Sequence, residues 1–350
     1  MEKIARERAH SLHLDVVRDP AAFASLAGEW DRLGECLGDR LLFSSHAWLT
    51  RSWQRHEKLG RKMHVVIIRD RGELVLAAPF VRIANWIGTV KLVPMDSLTP
   101  QYNDILVAED DRLPLLWGEL GAHFRRNFRI RSVRLSGVRA DSTTARLLQS
   151  IGATRTWSTV AQAISLEPFP TAEAFFESRS SNTRYNFRRQ VRAFERHGSV
   201  KFRRISAGPE LEPAVRWIFE RKDKWVRRKF GAPNWISADG TADFFSDIAR
   251  VEAERGSAYV TAIELNELLI GALLVFRRGE TTFVSKIAYD PEWQKLSPGW
   301  LIIMRSLLDC CDEGVQSFDM MIGSDRWKDR IGGNSVPVAN YRFDMPVLPV

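Results

Sequence analysis

An apolar run, Thr282 to Ala288, enters a short polar turn ending in Ser297-Pro298-Gly299, and a second apolar run starts at Trp300. Serine at an N-cap and proline at the first helical position are helix-start signals. Glycine beside them lets a ligand approach the backbone. The amide N–H groups of Gly299, Trp300 and Leu301, with the helix dipole behind them, would form an anion site. A strand feeding such a helix start can hold a diphosphate without a metal. An ordinary capped helix with no ligand satisfies the same residues.

Other residues suit acid–base or phosphate chemistry. In Phe318-Asp319-Met320-Met321-Ile322 one carboxylate stands in an apolar strand, where burial would raise its pKa and suit a general base. The structural alternative is an ion pair with Lys328 or an arginine. Lys328, after Trp327, fits an acceptor phosphate or a developing oxyanion, or a solvated surface. Asp104, after Tyr102-Asn103, either orients an acceptor or caps a strand end. Asp290 before Pro291 reads as a turn former. Arg184, Arg188, Arg192 and Arg196 lie four apart and share one helix face. That face suits the phosphates of a nucleotide-linked or lipid-linked sugar, or of tRNA, and equally a solvated stripe.

The basic stretch is local. From Arg179 to Lys229 there are 16 Lys/Arg against 5 Asp/Glu, an excess larger than the whole-chain net charge of +8. Lys222, Lys224, Arg227, Arg228 and Lys229 enlarge the patch of the arginine row. Most of the 12 tryptophans are expected in cores rather than stacked on sugars. The seven histidines show no metal spacing, so no metal is expected. The three cysteines, Cys36, Cys310 and Cys311, form no disulfide framework and fit reduced thiols in a cytoplasmic protein. No apolar run reaches the ~18 residues that span a bilayer. The charged Met1 to His10 segment lacks the apolar stretch of a secretory signal and reads as a tail.

Elements that must position these residues follow from the spacing. The first half is expected to run β-α-α-β-β-β-β-α-β-α-β, with turns at Asp70-Arg71-Gly72 and a helix capped by Ser44 or Ser45. The second opens with a basic helix, 172–197, then repeats β-α-α-β-β-β-α-β-α-β, with a hairpin across Asn266-Glu267 and a helix from Pro298 to about Glu313. Pro168 and Pro170 divide the 350 residues into domains 11–168 and 169–350.

This repeated order resembles the GNAT acyl-CoA N-acyltransferase fold, in tandem. Tyr289-Asp290-Pro291, Lys295-Leu296-Ser297-Pro298-Gly299, Ser317-Phe318-Asp319 with Gly323, and Trp327-Lys328 look like the acetyltransferase family named for cellulose biosynthesis, the CelD/BcsL type. So do Ser181-Asn182-Thr183-Arg184-Tyr185-Asn186-Phe187-Arg188-Arg189, Phe43-Ser44-Ser45-His46-Ala47-Trp48-Leu49 and Tyr102-Asn103-Asp104. The family is a relative of FemX-like aminoacyltransferases, which use aminoacyl-tRNA.

The resemblance implies an α/β (α+β) protein of mixed central sheets flanked by helices. It implies acetyl-CoA or another acyl-CoA as donor, gripped at Lys295, Ser297, Gly299, Trp300 and Leu301, with the oxyanion held by backbone near Ile287 or Ala288. Asp319, Lys328 and Asp104 would be catalytic, and Arg184, Arg188 and Arg192 would bind acceptor phosphate. The acceptor would be a sugar or aminosugar, free or lipid- or nucleotide-linked, used in exopolysaccharide or cell-envelope assembly. The setting would be cytoplasmic, with inner-membrane contact as one use of the basic helix.

Two departures bear on this. The usual turn is Arg/Gln-x-x-Gly-x-Gly/Ala, and Gln294 to Gly299 keeps one glycine. After Val107 the first half is acidic and lacks glycine, so it would repel an anion and support the acceptor instead. The rival readings are a tRNA-dependent aminoacyltransferase and a non-catalytic nucleotide-sensing effector.

Overall fold

The computed structural model describes residues 11–345 apart from 87, 100, 108–110 and 128, and apart from the side chain of residue 326. The charged tail, Met1 to His10, and the start of the acidic segment after Val107 therefore lie outside the described residues. The strands are β1 Leu12–Val17, β2 Lys62–Asp70, β3 Glu73–Ala84, β4 Val90–Pro94, β5 Leu106–Val107, β6 Ile130–Arg139, β7 Thr154–Ser165, β8 Val200–Ile205, β9 Ala258–Leu265, β10 Leu268–Arg278, β11 Thr281–Tyr289, β12 Ser317–Ile322 and β13 Asn334–Asp344. The helices are α1 Pro20–Ser25, α2 Ala27–Gly34, α3 His46–Lys58, α4 Leu113–Arg126, α5 Thr143–Ser150, α6 Ala172–Ser178, α7 Ser181–Glu195, α8 Leu211–Phe230, α9 Thr241–Glu254, α10 Pro298–Asp312 and α11 Arg326–Ile331.

The chain packs as two units: one up to Val160 with the residues from Val336 onward, the other Ala161–Ser335. The packing thus divides within β7, and the last strand returns to the first unit because β13 pairs β6 from Val338 to Asp344. The first unit carries strands in the order β1-β2-β3-β4-β6-β13, antiparallel except for β4 with β6. Side chains alternate across the sheet, and both faces are buried. Val66, Ile68 and Phe80 pack with Leu116, Leu120 and Phe124 of α4, whereas Val65, Ile67 and Val81 pack with Trp30, Leu49 and Trp53 of α2 and α3. Ser45 caps α3, its Oγ accepting the Trp48 amide at 3.3 Å.

The second unit repeats the plan as β8-β9-β10-β11-β12, with residues 161–165 of β7 beside β12. Only the β11–β12 pair is parallel, and α10 makes that crossover. Asn266 and Glu267 both take positive φ (49° and 66°), as a type I′ hairpin turn requires. Tyr259, Ile263, Leu273 and Val275 face Leu301, Ile302 and Leu307 of α10, with Phe194 of α7 in the same core. The alternate residues, Val260, Ala262, Leu274 and Phe276, are buried on the other face, where α8 and α9 lie against β9, β10 and β11.

The single helix expected over 172–197 is broken in two. Arg179 is extended (φ −77°, ψ 153°), and Ser180 starts α7 by accepting the Thr183 amide on Oγ at 3.2 Å. Ser180 thus acts as an N-cap inside what the charge pattern suggested was one run, because its hydroxyl competes for a backbone donor.

One irregularity shapes the second unit. β11 pairs β10 along its length, but pairs β12 only from Thr281 to Phe283. β12 bends away after Asp319, where its register with β7 shifts and Met321 adopts a left-handed φ of 62°. Asp319 Oδ1 accepts the Met321 amide at 2.7 Å. Lys328 Nζ donates to the carbonyls of Met321 and Gly323 at 2.8 and 2.9 Å. Both side chains are buried, Asp319 4% and Lys328 2% exposed, so this bend is set by ionisable groups inside the protein.

Three substitutions test packing and charge. A Cβ on Gly271 would meet Ile302 Cδ1 at 2.5 Å and Ile263 Cγ2 at 2.9 Å, so Gly271→Val should cost ~1–3 kcal/mol in a denaturant titration. Gly118 lies on α4 with no atom within 4 Å of its Cβ position, so Gly118→Ala should instead stabilise by ~0.5–1 kcal/mol. Burial, opposed by Asp325 and Asp319, lowers the Lys328 ammonium from 10.5 to about 8. The folded chain then releases this proton before the unfolded chain does, so stability should rise with pH between about 8 and 10.5. That rise, about 3 kcal/mol for a shift of this size, should be missing from the same titration of Lys328→Met. An equal pH slope in the variant would refute it.

Candidate active site

The end of β11, beyond its pairing with β12, borders a cavity of about 350 Å³, walled on one side by Ile287, Ala288 and Tyr289. From α8 it receives Arg221, Lys222, Lys224, Trp225 and Arg228. Their spacing of three, four and seven is one helix face. Asp325 and Trp327, at the start of α11, complete the wall. Arg221 is committed to Asp290 at 2.9 Å, and Asp290 also accepts the Glu292 amide, as a turn former does. Lys222 is held below the usual ammonium range by burial, with Asp325 opposing the shift. Lys224 and Arg228 make no ion pair among the described residues, so the wall keeps an excess of positive charge.

The helix-start corner differs from the expected three-amide cradle. Ser297 takes a left-handed conformation (φ 54°, ψ 52°), and its side chain caps nothing. The amides of Trp300 and Leu301 donate to the Ser297 carbonyl at 3.0 and 3.3 Å. Of the three donors only the Gly299 amide makes no backbone hydrogen bond among the described residues. A Cβ on Gly299 would stand 3.2 Å from Tyr289 Cδ1, so its smallness serves the packing of α10 on β11. Leu301 is fully buried in the core, and Lys295 is exposed on the 3₁₀ turn Pro291–Leu296. Trp300 and Ser297 face a second cavity, of about 500 Å³, with Asn182, Asn186 and Arg189 of α7 and with Arg330.

The remaining sequence candidates fall in three places. Asp319 and Lys328 come together at the β12 bend described above. Arg184, Arg188 and Arg192 line a groove of about 430 Å³ along α7, with Arg189 and Arg196. Arg184 also donates to the carbonyl of Arg179 at 2.7 Å, closing the end of α6, and Arg188 lies 5.2 Å from the Phe176 ring centre. Asp104 lies in the first unit, buried, with Arg40 3.7 Å away. Burial raises its carboxyl pKa, against Arg40 and hydrogen bonds from Thr144 and Ser142. Cys310 and Cys311 are buried on α10, and burial lifts both thiols to about 11, which makes them poor nucleophiles. Among the described residues no group of three or more His, Cys, Asp or Glu could hold a metal ion, and no helix is long and apolar enough to cross a membrane.

Sequence reasoning did not single out Asp325, Gln190 or Arg330. Asn182, Asn186 and Arg189 had been noted only within a motif. Their own spacing, four and seven, marks a helix face distinct from the arginine row and was the available signal. Arg330 carried no signal, because only the folding of α11 turns it toward α7 and α10.

Residues 181–329 match the model of an acetyltransferase (GNAT) domain. No curated protein matches the chain in sequence. Among solved structures, FemX superposes with a TM-score of 0.57 at 10% identity, over 84% of this chain and 91% of its own. The C-terminal domain of a lysylphosphatidylglycerol synthetase from Agrobacterium fabrum gives 0.55 at 10% identity, over 91% of this chain and 92% of its own. A tandem GNAT protein from the clavulanic acid biosynthesis pathway gives 0.54 at 15% identity, over 97% of this chain and 100% of its own. At such identities the superpositions establish the fold alone. Residues 181–329 thus match a GNAT acetyltransferase domain, which supports an acyltransferase enzyme, and the chain as a whole has the tandem GNAT fold.

Proposed function

We propose that this protein transfers an acetyl or other acyl group from acyl-CoA to a sugar or aminosugar, free or carried on a nucleotide or lipid, used in exopolysaccharide or cell-envelope assembly. The observation that carries the reading is the loss of β11–β12 pairing beyond Phe283, beside a cavity walled by Ile287 and Ala288. Unpaired strand edge offers backbone donors to a thioester carbonyl whose oxygen gains charge in the tetrahedral intermediate. The acceptor nitrogen or oxygen bonds to the acyl carbon, the carbon–sulfur bond breaks, and the acceptor proton leaves with a base and ends on the thiol. The cationic α8 wall favours an acceptor bearing phosphate, and the indoles of Trp225 and Trp327 offer apolar faces to a sugar ring.

Asp319 is the base in this reading. Asparagine at 319 keeps an oxygen for the Met321 amide but gives up the charge that faces Lys328, so Asp319→Asn should keep the fold at lower stability and lower kcat by ~10²-fold or more. Thiol release from acetyl-CoA with an aminosugar acceptor, and the acetyl mass on the product, measure this. An unchanged pH–rate profile in the variant would exclude Asp319 as the base. The arginine groove on α7 favours one second reading, aminoacyl-tRNA as donor. It requires RNA binding that weakens steeply with salt, and a chain indifferent to acetyl-CoA.

A further inference from the structure

Between Glu119 and Asp141 the chain carries six arginines and no Asp or Glu, a second basic run that the acyl site does not use. The fold brings part of it to one end of the first unit's sheet. There β2 starts at Lys62, β3 leaves past Arg82, β4 returns at Val90, and α4 ends at Arg126 just before β6 starts at Ile130. Lys62 and Arg82 stand directly opposite each other in the ladder, a like-charge pair that weakens a sheet. Burial, and then Arg134 and Arg61, hold the Lys91 ammonium below its usual range. Lys62, Arg82, Lys91, Arg126, Arg131 and Arg134 make no ion pair among the described residues. Asp344 reaches this edge opposite Ser132, but it is committed to Arg342 at 2.7 Å. The rim thus holds crowded positive charge that an external anion would relieve.

From this rim projects the turn that joins β3 to β4. Asn85 Oδ1 accepts the Thr89 amide at 2.9 Å, and the Gly88 amide donates to the Asn85 carbonyl at 3.0 Å. Gly88 takes a left-handed φ of 78°, as the turn requires. The turn so held presents Trp86 at 95% exposure, more than any other large apolar side chain among the described residues. An indole pairs an apolar body with one polar N–H, and it is at home where hydrocarbon meets head groups. We propose that this end of the first unit docks on an anionic bilayer, with the cations against head-group phosphates and Trp86 seated among the head groups. Single-stranded nucleic acid is also held by cations and aromatic rings, but in a groove that follows the strand. Here the cations flank a projecting tip, which suits a plane. The contact is made by the first unit and not by the basic helix α7. It would bring the enzyme to the surface that carries a lipid-linked acceptor.

The test is co-sedimentation of the full chain with vesicles of phosphatidylcholine alone, or of phosphatidylcholine and phosphatidylglycerol in equal parts, beside a titration with tRNA. The wild type should bind the mixed vesicles and not the neutral ones, and binding should weaken with salt. Trp86, Lys62 and Arg131 are exposed, so Trp86→Ser and the double variant Lys62→Gln, Arg131→Gln should keep the wild-type melting temperature. Trp86→Ser is expected to lower vesicle affinity roughly tenfold, and the double variant about fivefold for each cation removed. Arg192→Gln with Arg196→Gln, on α7, should bind vesicles as the wild type does. A wild type that ignores mixed vesicles, rim variants that bind them undiminished, or a loss confined to the α7 variant would overturn the assignment. So would tRNA binding that depends on the rim while vesicles are ignored, which would make the rim a nucleic-acid surface. Neither acyl donor nor acceptor enters the measurement, so either result leaves the acyltransferase reading as it stands.

Discussion

Everything at the candidate site depends on one buried ammonium. Lys328 Nζ ties the carbonyls of Met321 and Gly323 together, while Asp319 Oδ1 accepts the amide of Met321. Without these bonds a left-handed methionine in a buried strand would be strained and its carbonyl unsatisfied. With them β12 is bent from β11 after three paired positions. A charged lysine in such a place is costly to desolvate, which is why its pKa falls to about 8. The carbonyls and the nearby Asp319 and Asp325 offset that cost. The sequence placed Asp319 and Lys328 among the catalytic candidates, and the structure joins them in one small assembly that shapes the opening.

The opening has two unlike approaches. On the α8 face the cations lie close together, and Lys222 is desolvated by burial. On the α10 face the arginines come from the leading helix and from α11, with amide side chains between them. A sheet buried on both faces cannot admit a ligand through its ladder. It can do so where a parallel pair parts, because there neither edge has a hydrogen-bonded neighbour. The crossover helix α10 is attached at that point, and Gly271 and Gly299 let it lie close against β10 and β11.

Much of this was legible in the chain itself. The I′ turn at Asn266-Glu267, the caps at Ser45 and Ser142, the start of α10 at Pro298 and the repeated order of elements all follow from local chemistry. Periods of two and 3.6, glycine and proline punctuation, and hydroxyls that accept a nearby amide act over a few residues. The break at Arg179-Ser180 was less legible, since charge spacing on both sides continued a single helical pattern. The corner at Ser297 shows the limit more sharply. Serine, proline and glycine there do start a helix, but whether an amide is free depends on the conformation of Ser297, and that is set by the 3₁₀ turn before it.

The sequence alone determined the fold class, the two repeats, the helix after β11 and the presence of a concentrated basic stretch. Those features are carried by residues near one another in the chain. Only the tertiary structure decided which cations face which cavity. α7 and α8 each carry more than one row of positive charge, and rotation of a helix against its sheet selects the row that is enclosed. It also decided that Asp319 and Lys328, nine positions apart, would meet the backbone of one residue, Met321, at its amide and its carbonyl. That meeting needs the turn from β12 into α11, and no local rule of spacing contains it.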